Sequence, residues 1–143
     1  MNRRHRTILA LDFGLRQIGV AVGNSATGTT QPLPLLKARE GAPQWPQVQA
    51  LIDEWRPDLL VVGDPLNMDG SDSDMSQRAR KFARRLHGRT GLPVALADER
   101  LTSFEAKQAA RQRGHRGDYR AAPVDSFAAE LILQHWLSEN EPP

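Results

Sequence analysis

Residues 59 to 65, LLVVGDP, are apolar without alternation. The run is short and lies between Pro57 and Pro65, so it reads as a strand. A strand with no polar face needs cover on both sides, as parallel strands between helices have. The neighbouring segments fit that frame. Residues 6 to 12 form an apolar strand ending in Asp12, and 17 to 23, QIGVAVG, form another. Gly14 lies in the short turn between them, so the spacing predicts an antiparallel hairpin. A third short strand fits 33 to 38, and a fifth fits 94 to 98. Residues 44 to 56 place Val48, Leu51, Ile52 and Trp55 on one helical face, and Pro57 ends that helix.

After the polar loop 67 to 74, a helix runs through residue 87, with Met75, Ala79, Phe82, Ala83 and Leu86 inward and Gly88 or Gly91 as its stop. Thr102 and Glu105 make a capping box that opens another helix. Residues 114 to 120 are a basic loop. Pro123 suits the start of the last helix, which carries Val124, Phe127, Ala128, Leu131, Leu133 and Trp136. Three strands followed by alternating helices and strands predict an α/β fold with a mixed sheet. The 143 residues suit one domain, with its core over about 6 to 138.

An apolar fraction of 39% and a charged fraction of 25% exclude a disordered chain. No apolar run reaches the ~20 residues a membrane-spanning helix needs. MNRRHR is followed by too short an apolar stretch, with Asp12 in it, for a signal peptide. The chain has no cysteine, which excludes disulfides and thiol chemistry. These features predict a cytoplasmic protein. The net charge is only +2, but all the basic residues except Lys37, Lys81 and Lys107 are arginine. They cluster at Arg3, Arg4 and Arg6, in RARKFARR (78 to 85) and in RQRGHRGDYR (111 to 120). Each cluster alone reads equally well as a solvated surface. Together they favour a polyanionic partner.

Three carboxylates stand where chemistry would use them. Asp12 ends the first strand, Glu99 follows the fifth, and Asp125 sits in the first turn of the last helix above Ala128, Ala129 and Ile132. If the first and fifth strands are parallel with one strand between them, their ends lie roughly 10 Å apart, and side chains can converge across that gap. Converging carboxylates are relieved by protonation or by a divalent cation; hard oxygen ligands suit Mg²⁺ or Mn²⁺. Two such ions about 4 Å apart serve phosphodiester cleavage. The plain readings are a turn aspartate, an arginine partner and a helix-dipole complement. His5, His87, His115 and His135 lack ligand spacing. Asp69, Asp72 and Asp74 lack the later glutamate of a calcium loop, and Asp72 or Ser73 suits a helix cap.

LALDFGLRQIGVAVGN, VVGDPLNMDGS, ADERLTSFEA and DSFAAELILQHWL, in that order, resemble the YqgF family. Its members are described as Holliday junction resolvases and as pre-16S rRNA nucleases. The resemblance runs from about residue 6 to 138. It implies a ribonuclease H-like fold: a five-stranded mixed sheet of order 3-2-1-4-5 with helices on both faces. It also implies that Asp12, Glu99 and Asp125 are the acidic active-site residues; by the carboxylate chemistry above, the same three are expected to hold metal, two Mg²⁺ or Mn²⁺ ions. The expected function is 5′-end maturation of pre-16S rRNA, with ribosomal particles as partners. Four-way DNA junctions are the rival substrate, and a non-catalytic RNA-binding module is the alternative class. Arg16 and Arg100 flank the acids and are expected to meet substrate phosphates. Arg78, Lys81 and Arg85 are expected to track the backbone. One departure stands out: the family's VGLP is VGDP here, so Asp64 either adds charge at the strand mouth or points into solvent.

Overall fold

The computed structural model describes residues 7 to 99 and 124 to 140; the side chains of Val124 and Asp125 lie outside the described set. The predicted helix from Thr102 with its Glu105 box, the loop 114 to 120, and Arg100 also lie outside it.

β1 (Thr7–Asp12) and β2 (Gln17–Asn24) form the predicted hairpin, with Leu11 opposite Val20 and Asp12 opposite Gly19. The turn needs Gly14, because a Cβ there would collide with the Gln17 carbonyl. β3 spans Thr29–Arg39, much longer than 33 to 38. Pro32 and the turn-rich residues before it hide the start of the strand, and the register shift in its ladder to β2 falls at Pro34 and Leu35. A two-residue β4, Ala42–Pro43, pairs with the end of β3. The sheet therefore has six strands, not five, in the order β4-β3-β2-β1-β5-β6. The added strand is only a short edge, so the 3-2-1-4-5 core order stands.

α1 (Trp45–Trp55) ends at Arg56, whose φ of 46° breaks the helix before Pro57. β5 (Leu59–Asp64) is buried along its whole length and parallel to both β1 and β6 (Val94–Asp98). α2 (Asp74–Thr90) starts at a capping box made by Ser73 with Ser76 and stops at Gly91, φ 73°. Ser73 is thus the cap, and Gly88 lies inside the helix. α3 is Val124–Asn140.

The strand alternation sorts the core into two layers. Leu9, Leu11, Leu60 and Val62 face α1 and α2, where Val48, Ala79, Phe82 and Leu86 are buried. Ile8, Ala10, Val61 and Ala97 face α3, against Ala129, Ile132, Leu133 and Leu137. Phe127, Ala128, Leu131 and Trp136 are only half-buried. α3 is apolar nearly all round, so periodicity locates its inward stripe poorly. Among the described residues, no helix is long and apolar enough to cross a membrane.

Candidate active site

The carboxyl ends of β1, β5 and β6 form one mouth. Asp12 continues the Ile8–Ala10 face, so its carboxylate belongs to the α3 side of the sheet. On β5, Val61 and Gly63 share that side. Glu99 follows β6, and its backbone N–H donates to the Asp64 carbonyl at 3.2 Å, which extends the parallel ladder by one residue. Its side chain lies back over Gly63: a Cβ at Gly63 would stand 2.6 Å from Glu99 Oε2 and 2.9 Å from Ile132 Cδ1. Gly63 therefore makes the space that Glu99 occupies. The sequence reading did not single it out. The available signal was a glycine inside an otherwise bulky strand, which often marks a close approach.

Glu99 is 9% exposed. Burial, then the charges of Asp12, Asp64 and Asp98, push its carboxyl up to about 8. Among the described residues no three acids or histidines stand together as a ready metal cage, so the fit to a divalent ion rests on the pair Asp12 and Glu99. Glu99 is held close enough to Asp12 to feel its charge, in a place where ionisation is costly. A cation among these hard oxygen donors would remove that cost. The backbone of α3 starts at Val124, so Asp125 occupies its first turn. The next residue, Ser126, donates to the Leu33 carbonyl at 2.7 Å and fixes that turn to β3.

Asp64 does not point into solvent, and it adds charge at the mouth only as a field. It continues the Leu60–Val62 face, opposite Asp12, and is buried. One oxygen, Oδ2, accepts from Arg80 Nε at 3.0 Å and Nη2 at 2.9 Å, while Oδ1 has no hydrogen-bond partner among the described residues. Arg80 also reaches Asp72 at 3.1 Å. The Asp64 side chain therefore belongs to a strap between β5 and α2, and its carboxylate acts on that of Glu99 only through its field.

The predicted basic residues divide. Arg16 lines the depression of about 320 Å³ that contains Asp12 and Gly14. Arg78 lines a neighbouring cavity with Arg16. Lys81 is exposed on α2. Arg85 is instead stacked on Trp45, 5.4 Å from the ring centroid, beside Arg89 at 4.4 Å. The ring contact holds these two on the protein's own surface.

A mixed sheet with acids at the mouths of its parallel strands is the architecture of ribonuclease H-like nucleases. Solved structures share the fold. Thermus thermophilus RuvC in complex with a Holliday junction substrate matches with a TM-score of 0.55 at 17% identity, over 96% of this chain and 98% of that one. The fowlpox virus Holliday junction resolvase matches with a TM-score of 0.51 at 12% identity, over 93% and 99%. The family model described as "RuvX: Holliday junction resolvase" matches residues 6–139, and the chain belongs to that family, the YqgF family of the sequence resemblance. Relatives from Azotobacter vinelandii (58% identical over 134 residues, 94% of each chain) and Chromohalobacter salexigens (57% over 135 residues, 94% of this chain and 91% of that one) are each named "Putative pre-16S rRNA nuclease".

Proposed function

We propose that this chain is a divalent-metal-dependent nuclease that hydrolyses phosphodiester bonds of pre-16S rRNA in 5′-end maturation. The observation that carries the reading is the Glu99 carboxyl, held over Gly63 within the field of Asp12. The name of the relatives at 58% and 57% identity favours rRNA as the substrate. Asp12 and Glu99, with Asp125 from α3, would hold Mg²⁺ or Mn²⁺, two ions by the chemistry of phosphodiester cleavage. When bound, the metal supplies water activation and charge stabilisation at the leaving oxygen. The protein's own residues do the rest. The buried strand ends fix Asp12 and Glu99 as rigid mounts. Glu99 holds a proton at neutral pH in the metal-free protein. Arg16, one turn from Asp12, offers a guanidinium to a substrate phosphate, and Arg100 is expected beside it. Such a substrate places the protein in the cytoplasm, with ribosomal particles as partners.

Four-way DNA junctions are the second reading, favoured by the family description and its resolvases. One experiment separates the readings. Wild type and Asp12→Asn are incubated with Mn²⁺ or Mg²⁺ and either a 5′-extended 16S precursor or a labelled four-way junction. We expect wild type to cut the RNA. Asp12→Asn should lose more than about a hundredfold in rate, since even outer-shell partners of a metal are worth 10–100-fold. Circular dichroism should show its fold intact. Cutting of the junction alone would transfer the activity to DNA. Equal RNA binding by both proteins with no cleavage would leave a binding module.

A further inference from the structure

Beside the Asp12 depression lies a second cavity of about 460 Å³, lined by Leu15, Arg16, Ala38, Arg39, Glu40 and Arg78. The size is within the ~300–1,000 Å³ of ligand pockets. Its three guanidiniums come from three places: the β1–β2 turn, the end of β3 and the first turns of α2. Among the described residues, none of the three makes an ion pair, whereas Arg80 holds two carboxylates and Arg85 and Arg89 hold a ring. Among the described lining residues, three guanidiniums stand against a single carboxylate, Glu40, and together give a net positive field. A phosphate is the ligand whose charge and oxygens match that field.

The two cavities share Leu15 and Arg16. Their common wall is held by backbone: Ala38 N–H donates to the Arg16 carbonyl at 2.8 Å, and Gly41 N–H donates to the Leu15 carbonyl at 2.9 Å. The turn that supplies these donors is unusual. Glu40 has φ 51° and Gly41 φ 84°. A Cβ at Gly41 would stand 2.8 Å from Phe13 Cζ, so the turn is packed onto the residue after Asp12. A left-handed conformation at a non-glycine residue persists where its surroundings enforce it. The β3–β4 turn is therefore registered to the catalytic strand, and Arg39 with it.

We propose that the Arg16–Arg39–Arg78 cavity is a phosphate subsite that grips the RNA backbone at a fixed offset from the bond cut at Asp12. The inference rests on the nuclease reading and adds the offset: cleavage position is measured from the phosphate held here. Glu40 opposes binding and trims it.

The test reads binding apart from cleavage. Anisotropy of a labelled single-stranded RNA is titrated without divalent ions, across salt concentrations, for wild type, Arg39→Ala, Arg39→Lys and Glu40→Gln. Each lost phosphate contact lowers the salt slope by about 0.7 for a single strand. Arg39→Ala should show that loss with a several-fold higher Kd, and Arg39→Lys should recover the slope. Glu40→Gln should bind tighter, the opposite sign, which damage to the turn would not produce. In cleavage of a 5′-extended precursor, Arg39→Ala should raise KM far more than it lowers kcat. Truncating the RNA so that it no longer reaches the cavity should erase the gap to wild type. If Arg39→Ala and Glu40→Gln move neither Kd nor slope while wild type still cuts, the subsite is wrong and the nuclease reading stands. If the Arg39 and Glu40 effects appear but no metal supports cutting, the phosphate site stands and the nuclease reading falls. The same effects on a four-way DNA junction and none on RNA would overturn the assignment to RNA.

Discussion

At the scale of single residues, Glu99 joins electrostatics to stability. Its carboxyl is raised to about 8 from an ordinary 4.5, by burial first and then by neighbouring carboxylates. Between those values the folded chain keeps a proton that the unfolded chain releases. Stability should therefore fall as pH rises through that window and level off above it. Urea midpoints of the metal-free protein from about pH 5 to about pH 9 should show this decline, and Glu99→Gln should flatten it. An unchanged slope in that variant would mean that another group carries the linkage. Asp12 and Glu99 were legible as residues because each sits at the end of an apolar strand. Asp64 was not legible in the same way. Its neighbours in sequence are those of a mouth carboxylate, and only the pleat shows that it faces α2.

At the scale of elements, the strap from Asp64 through Arg80 to Asp72 ties β5, α2 and the loop between them. Its two ends are unequal. Asp64 is buried with one oxygen unpartnered, so removing its charge discards a desolvation cost along with the pair. Removing Arg80 leaves that charge stranded. Asp64→Leu should therefore stay within about 1 kcal/mol of wild type or gain stability, and Arg80→Ala should unfold at clearly lower urea. Both are read from equilibrium unfolding; equal losses would show that the strap stabilises as a pair. The same scale explains what the pattern hid. β5 was readable because burial on both faces leaves an unbroken apolar run. The start of β3 was hidden because the stretch before Leu33 is rich in turn residues and ends in Pro32. The inward stripe of α3 was blurred because apolar residues surround the helix. The β3–β4 turn that carries Arg39 has no sequence signal beyond Gly41.

At the scale of the whole molecule, the parallel strands carry the acids and the antiparallel half carries the arginine cavity. The sheet order made the place of the acids predictable once the hairpin and the buried strand were recognised, whereas the arginine cavity was not, because it depends on the β3–β4 turn. The meeting of Gly63 with Glu99 was not predictable either, since β5 and β6 end level at Asp64 and Asp98 and the Glu99 side chain lies back from the next position. A cation at this mouth binds only the folded chain, so it stabilises by mass action. At about a hundred times its Kd, Mn²⁺ should add roughly 2.7 kcal/mol, which is several degrees in Tm for a chain of this size. Asp12→Asn should lose most of that shift in a thermal scan. An equal shift in both proteins would place the ion elsewhere.

The clasp between α3 and β3 has one more consequence. Ser126 bonds to Leu33 across 93 positions of sequence, and Thr30 bonds to Glu130 across 100. Asp12 leaves the ribosome early, but the helix that covers its side of the sheet and brings Asp125 is the last described element to be made. By this order of assembly the strand that carries Asp12 stands uncovered on that side until α3 has been made and clasped to β3.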